Sequence, residues 1–574
     1  MNAKTKAELL VHLARWQWRL RDQNPHVRFT VPGNPKFMGP MEAIKNCVRD
    51  GDCIALSGLA GNQQATILYC ALRDSFLSSG HPRDLTCLVP GGKGARGRLP
   101  GSPEELGQSG LLKRFITAHA ETFKSILRLV DEGRLELQIL PQGMLSLLLE
   151  AQGRGEEIPA QATGIGTFVD PRCGKGTHFT DPQGEQFVCV EGDLLKYRIP
   201  RVNVALFNAP AADREGNIYV KNAAILGDSR EIALAARRNG GKVVVNVGMI
   251  VESGYDVPFL KSDEVDAIVY WKGTEQALSC LHSRAWSMFT PQSDVSPLDA
   301  MERLRFINRC MGVTPKRGPM EDALARLAAT VLLENIHEGA IINIGVGLPE
   351  EVCWLLLQAG ITDRIRLFAE SGVWGGAPAP GAFFGAAVCP LEAVSAAETF
   401  RRCYEALDAS VLGALQVDGE GNVNVSKRGE GAIHYVGPGG FMDFTSAAKT
   451  VVFVTTWMAH AKVSMQKGRL RVKKPGPIKF LERVDEITFH GKSALESGKK
   501  IFYVTNVGVF RLTRRGMEIQ RVVPGVDVKE DILNATPMKV VLPESGEVSR
   551  VEESILTGHE FKMPELSKGR PYVE

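Results

Sequence analysis

The chain has 574 residues, too many for one hydrophobic core, so roughly two to four domains are expected at about 150 residues each. Hydrophobic residues make up 44% and charged residues 23%, an ordinary globular composition that speaks against disorder, collagen-like repeats and coiled coil. The formal charge is only +3, from 68 basic and 65 acidic residues with no long basic run, so nucleic acid is not an expected partner.

The chain opens with "MNAKTKAELLVHLARWQWRLRDQN", where Leu9, Leu10, Leu13 and Trp16 recur between charges. That spacing predicts an amphipathic helix in an N-terminal extension over 1–40, and not a signal-peptide core. No run of eighteen apolar residues follows, the nearest being "TVVFVTTWMA" at 450–459, so no membrane span or membrane partner is expected. Eleven scattered cysteines, never spaced C-x-x-C, fit a reducing compartment without structural zinc, and the expected location is cytoplasmic.

Short β-branched runs such as "CIALSG", "KVVVNVGMIV", "AIINIGVG" and "KIFYVTNVGVF" alternate with helical patterns such as "SREIALAARRNG" and "MEDALARLAATVLLENI". The alternation predicts an α/β fold with largely parallel sheets. It weakens between 284 and 320, where prolines and mixed charge predict a connector with one short helix. The expected domains are therefore 41–290 and 321–574, joined by a connector over 291–320. The halves echo each other. "VRDGDCIALSGLAGN" (48–62) parallels "IHEGAIINIGVGLPE" (336–350), and "DREGNIYV" (213–220) parallels "DGEGNVNV" (418–425). Asp-Gly and Gly-Asn turns are common in any α/β chain, but the same order in both halves points to a duplication.

Among local motifs, "INIGVGLPEEV" puts Gly345 and Gly347 between a strand and a helix, but Glu350 stands where a dinucleotide fingerprint needs its third glycine. A nicotinamide cofactor is not expected, and alone the segment reads as a tight turn. No Walker A, G-x-S-x-G or H-E-x-x-H occurs, and the eleven histidines lack metal-ligand spacing. In "RIRLFAESGVWGG" Glu370 ends a predicted strand at 365–369, with Gly372, Gly375 and Gly376 opening the next loop. Ligands gather at strand carboxyl ends in open α/β sheets, although by spacing alone a solvated loop acid is the commoner outcome.

At these residues the sequence resembles the family I CoA-transferases, the group of propionate and 3-oxoacid CoA-transferases. Glu370, Ser371 and Gly372, with Gly375, Gly376 and Pro378, match the family's E-S-G-x-x-G-G-x-P segment. "LPQGMLSLL" (140–148), "GIGTFVDPR" (164–172), "GVGLPEEV" (345–352), "VGPGGFMDF" (436–444) and "VVPGVDVKEDIL" (522–533) resemble further family segments in the family's order. The resemblance implies two related open α/β domains in one chain, with the active site at the cleft between them. It implies Glu370 as nucleophile, the Gln142 side-chain amide and Gly440 N–H as oxyanion donors, and substrate or CoA contact at Gly345, Gly347, Gly372, Gly375, Gly376 and Gly439. It also implies acyl-CoA and carboxylate substrates, ping-pong chemistry, no cofactor beyond CoA, no metal, and a homo-oligomer, dimer or tetramer. A hydrolase or acyl-carrier transferase on the same scaffold, or a noncatalytic CoA-binding paralogue, stays open. The basic stretch "PGGKGARGRLPG" (90–101) is either a CoA-phosphate contact or a solvated loop. Departures from the family pattern fall at Thr117 and Ala118 before His119, at Ala387, Val388 and Cys389, and at Asn506; the first two groups are expected to border the acyl pocket. Trp374, Phe383 and Phe384 are expected either to line a dry pocket around Glu370 or to pack the core.

Overall fold

A computed structural model describes residues 1–21, 24–94, 101–174, 179, 184–272, 274–277, 280–281 and 286–568. The predicted α/β alternation resolves into two large sheets. Across the first, the order is Ala267–Tyr270, Lys242–Val251, Val204–Asp213, Cys53–Leu56, Leu85–Val89, Leu112–Thr117 and Glu136–Ile139. Every neighbouring pair on this path is parallel, and only Ile218–Tyr219 adds an antiparallel partner. Val204–Asp213 is buried at all ten positions, the signature of a strand covered on both faces.

The second sheet keeps a parallel centre of Arg366–Ala369, Ile341–Ile344, Ala409–Gly413, Thr450–Val454 and Lys500–Val504. Its flanks are mainly antiparallel, although Val540–Val541 and Ser549–Arg550 pair parallel with Gly516–Val522, so "largely parallel" holds for the first sheet and for the middle of the second. The two echoed turns are built alike. Asp213 accepts from the Gly216 and Asn217 N–H groups at 2.9 and 2.8 Å. Asp418 accepts from Asn422 N–H at 3.0 Å, and its carbonyl takes Gly421 N–H at 3.0 Å. Both glycines have φ in the left-handed range, 97° and 79°, which explains why glycine holds that turn position in both halves.

The segment expected as a connector is a fold element. Its helix, Pro297–Cys310, runs 14 residues, capped where the Ser296 hydroxyl accepts Asp299 N–H at 3.2 Å. Ala300, Met301, Leu304 and Ile307 face the core, a helical stripe that the flanking prolines obscure in sequence. Buried Asn308 clamps the loop after Glu370, donating to Pro380 O and accepting from Ala382 N–H, both at 2.8 Å. The N-terminal helix, Ala3–Arg21, lays Leu9 and Leu13 on the same core, whereas Leu10 is 48% exposed and not part of that face. The Trp16 side chain lies outside the described residues.

Two apolar cores exist, and each borrows across the middle of the molecule. Leu59 belongs to the core of the second sheet, while Ala432, Tyr435 and Met442 belong to that of the first. Among the described residues no helix is long and apolar enough to cross a membrane.

Candidate active site

The strand Arg366–Ala369 ends in a hairpin that returns as Val373–Trp374, pairing Ala369 with Val373. Glu370 and Ser371 form the tip. Gly372 makes the reversal at φ 108°, where a Cβ would fall 1.8 Å from Val394 O, so no other residue fits without moving backbone. The Ser371 hydroxyl donates to Gly385 O, and Ser371 O accepts from Gly227 N–H at 3.0 Å. The tip is therefore held by both halves of the chain.

Glu370 lines a cavity of about 30 Å³ together with Gly345, Glu350, Phe368, Phe384 and Gly385. That is room for a water or two, so the pocket must widen to admit an acyl group. Glu370 keeps part of its surface at the mouth, but its carboxyl lies deep enough for burial to raise it above the usual glutamate range. A carboxylate short of water is a stronger nucleophile once ionised. Glu350, absent from the residues expected at the site, is a second carboxyl on the same pocket and accepts Gly381 N–H at 3.2 Å.

Gln142 opens the helix Gln142–Arg154 and is 2% exposed. Its backbone N–H donates to Gly439 O at 3.2 Å, a direct bond between the halves. Its side-chain amide makes no hydrogen bond to any described residue, and Gly91 and Gly439 approach it closely enough that a Cβ on them would sit 3.3 and 3.8 Å away. Gly440 precedes the helix Phe441–Ala447, and its N–H likewise has no partner among the described residues. Both expected oxyanion donors are thus unengaged.

Asp443, one turn further on, supports this junction and was not among the expected site residues. Its carboxylate accepts Gly143 N–H at 3.0 Å and the Tyr404 hydroxyl at 2.7 Å, and Tyr404 meets the Thr163 hydroxyl at 3.0 Å. Burial pushes Asp443 up to about 7, against the lowering effect of those same bonds. In sequence it was only the D of "GGFMDF", with nothing local to mark it.

The remaining expected residues divide. Gly345 lines the Glu370 pocket; Gly347, at φ 99°, has open space beside it and does not line it. Gly375 and Gly376 take left-handed turns tight against Leu391 and against Val388 O and Cys389 O, so they shape the hairpin behind Glu370. Phe384 lines the pocket, while Trp374 stacks on Phe368 at 4.6 Å and donates to the Thr399 hydroxyl, and Phe383 packs on Phe289. Of the family departures, Ala118 O accepts Gly439 N–H at 2.8 Å, and Thr117 accepts His119 N–H. Ala387 and Val388 pair with Pro378 and Ala377, and Asn506 accepts Trp457 N–H at 2.7 Å. None of these lines the small cavity at Glu370. Of the basic stretch 90–101, residues 95–100 lie outside the described residues; Lys93 is buried, donating to Ser57 O and to the Tyr69 hydroxyl, and is not a solvated contact. No His, Cys, Asp and Glu cluster able to hold a metal occurs among the described residues.

No family model matches the chain. Individual proteins do. A caffeate CoA-transferase of Acetobacterium woodii is 29% identical over 516 residues, 87% of this chain and 93% of that protein. The acetate CoA-transferase YdiF of Escherichia coli (strain K12) is 28% identical over 548 residues, 94% of this chain and 98% of that protein. In structure, the YdiF acyl-CoA transferase apoenzyme of E. coli O157:H7 superposes with a TM-score of 0.79 at 26% identity, covering 95% of this chain and 100% of that one. YdiF is also solved as a thioester complex with CoA, at TM-score 0.78, 27% identity and coverage of 94% and 100%. The chain is a homologue of the family I CoA-transferases along nearly its whole length, and their fused two-part α/β fold is its fold. The relatives it matches are named CoA-transferases, a transferase class, in line with the resemblance.

Proposed function

We propose that the chain is an acyl-CoA:carboxylate CoA-transferase acting on short-chain acyl-CoA and carboxylic acids, with Glu370 as the covalent nucleophile. The acids named for its relatives, acetate and caffeate, are the first substrates to try. One observation carries the reading: Glu370 sits desolvated at a strand end, on a hairpin tip bonded to both halves of the chain. The Gln142 amide and Gly440 N–H, unengaged where Gln142 meets Gly439, are the oxyanion donors of this proposal.

The Glu370 carboxylate attacks the thioester carbonyl and expels CoA thiolate, leaving an acyl-glutamyl anhydride. The thiolate then attacks the glutamyl carbonyl, releasing the donor acid as carboxylate and leaving a glutamyl-CoA thioester. An acceptor carboxylate reverses both steps, so no proton or electron is gained overall. Each step passes through an oxyanion, and losing one fixed donor costs about 2.7 to 4 kcal/mol in acyl-transfer enzymes. Phe368, Phe384 and Ala369 form an apolar wall that keeps water from the anhydride. The chemistry needs no metal and no nicotinamide. We further propose a cytoplasmic homo-oligomer, dimer or tetramer; every described cysteine whose side chain is placed is a free thiol, in keeping with a reducing compartment.

Incubation with acyl-CoA alone, followed by intact mass spectrometry, should reveal one covalent CoA adduct, absent in Glu370→Gln. An active wild type without an adduct would overturn the mechanism. Free acid formed without a carboxylate acceptor would point to hydrolysis, carrier-protein dependence to an acyl-carrier transferase, and stabilisation by CoA without turnover to a binding protein.

A further inference from the structure

The turn at Gly227 and Asp228 joins the first half of the chain to the nucleophile's hairpin. Gly227 N–H donates to Ser371 O at 3.0 Å, and Gly227 O accepts Ala396 N–H at 2.9 Å. Close by in sequence to Ala396, Val394 N–H donates to Gly372 O at 2.7 Å. The hairpin tip 370–372 is therefore gripped twice, at Ser371 by Gly227 and at Gly372 by Val394. Behind the turn, the Ser57 hydroxyl accepts Asp228 N–H at 3.1 Å and lies 2.8 Å from the Ser229 hydroxyl, while Ser57 O accepts the buried Lys93 ammonium.

The helix Ser229–Arg238 begins at this turn with two acids one turn apart, Asp228 and Glu231. Asp228 occupies the N-cap position, yet its side chain accepts no N–H of its own helix. Its carboxyl faces the Ser146 hydroxyl instead, one turn along the helix that Gln142 opens, and Lys93 is the cation acting on it. Glu231 faces Ser395, the residue between Val394 and Ala396. The two acids are 4% and 5% exposed, and Asp228 Oδ1, Glu231 Oε2 and Ser146 Oγ have no hydrogen-bond partner of ordinary geometry among the described residues. Buried carboxyls left this open destabilise the fold once both are charged.

We propose that Asp228 and Glu231 are positioning residues for the transfer reaction, a proton-sharing pair that keeps the Glu370 hairpin seated on the Gln142 helix only while it carries no more than one negative charge. The inference rests on the reading of Glu370 as nucleophile. A single charge on Asp228 is offset by Lys93. A second, on Glu231, meets no such cation: the charged groups acting on it are Asp228 and Glu150, and Glu150 is already held by Arg154 at 2.7 Å and by Arg401. Two like charges on one helical turn repel and draw in water, and the displacement falls on Gly227 and Ser395, where the hairpin is gripped. Burial pushes Asp228 up to about 6 and, with Asp228 as a charged neighbour, Glu231 to about 7, while it lowers Lys93 to about 7. Above neutral pH, Glu231 thus gains its charge as Lys93 loses the one that offsets Asp228.

The test is the pH profile of kcat with propionyl-CoA and acetate. The transfer exchanges no proton overall, and the amide donors do not titrate. Wild type should show an acid limb from Glu370, which burial holds above the usual range, and an alkaline fall of about tenfold between about pH 6.5 and 8.5, with KM for propionyl-CoA nearly constant. Asp443 ionises in the same range, so variants assign the fall. Glu231→Gln and Asp228→Asn, each unable to complete the double charge, should keep the acid limb and flatten the alkaline one to less than about twofold. Glu231→Ala, with nothing to face Ser395, should have a lower kcat than Glu231→Gln at every pH. In wild type, hydrogen-exchange protection of the Gly227 and Val394 amides should fall over the same span, with the intrinsic pH effect removed. A flat wild-type profile or unchanged protection overturns the proposal whether or not the variants fold. So does an alkaline fall that persists in a folded Glu231→Gln, or a Glu231→Ala equal to it in kcat. If the Glu370 adduct forms while the profile is flat, this inference alone fails; if no adduct and no turnover appear with any acyl-CoA, the reading beneath it fails.

Discussion

Replacing Asp443 by asparagine tests whether the bond between the halves positions the Gln142 amide. Asp443 is 1% exposed and accepts two hydrogen bonds, from Gly143 N–H at 3.0 Å and the Tyr404 hydroxyl at 2.7 Å. Asparagine keeps the shape, leaves its oxygen for Gly143 N–H and turns an NH2 towards the Tyr404 oxygen, which accepts while its own proton goes to Thr163; reversing that link costs less than the roughly 1–3 kcal/mol of an orphaned buried group. Against that stands the cost of burying the charge. Moving from the usual 3.8 to about 7 is about three pH units, on the order of 4 kcal/mol between the protonated and ionised forms. The sign follows from proton binding: the native carboxyl holds its proton where the unfolded chain has released it. This group's contribution to stability is therefore greatest below pH 4, falls as pH rises towards 7, and is flat above. Asparagine lacks that slope. The variant should unfold at lower urea than wild type at pH 5.5, and the gap should close or reverse at pH 8.5. For catalysis, full loss of one oxyanion donor sets a ceiling of about 10²–10³ in kcat, and a displaced Gln142 should lose roughly 10- to 100-fold with KM for acyl-CoA little changed. Tyr404→Phe, removing one bond, should fall between. An Asp443→Asn enzyme with wild-type kcat and a wild-type pH dependence of unfolding would refute both parts of the reasoning.

Two glycines make a controlled pair. Gly372→Ala drives a Cβ into Val394 O at 1.8 Å and should abolish activity with a large drop in melting temperature, whereas Gly347→Ala, with open space around it, should cost only about 1–2 kcal/mol of left-handed strain by urea unfolding. Glu351 is buried between Arg305 at 3.0 Å and Arg317 at 3.3 Å, so Glu351→Ala should lower stability by about 1–3 kcal/mol. Both arginines keep some contact with water, which holds the cost below that of a sealed pair; no change in urea midpoint would show that the connector helix is held by its apolar face alone.

Much of this molecule is legible along the chain, because strand and helix patterns are local properties of burial. "CIALSG" and "AIINIGVG" read as buried strands and are buried strands, and the two D-x-E-G-N segments form matching turns since the aspartate bonds its own backbone a few residues on. The place of Glu370 at a strand end was legible for the same reason, since the strand before it and the glycine turn after it are contiguous, whereas spacing alone favoured a solvated acid there. The helix Pro297–Cys310 was under-read because prolines at both ends masked its stripe. What tertiary structure alone decided are the meetings across the halves. Gly143 and Asp443 are 300 residues apart, and Asn62 and Phe384 are 322. No periodicity connects residues so distant, and a polar side chain looks the same in sequence whether water or a buried partner will pair it. The chain by itself determined the two sheets and the placing of one acid at a strand end; the packing of one half on the other decided that this acid is desolvated and that Gly143 meets Asp443, because desolvation and long-range pairing exist only once the halves meet.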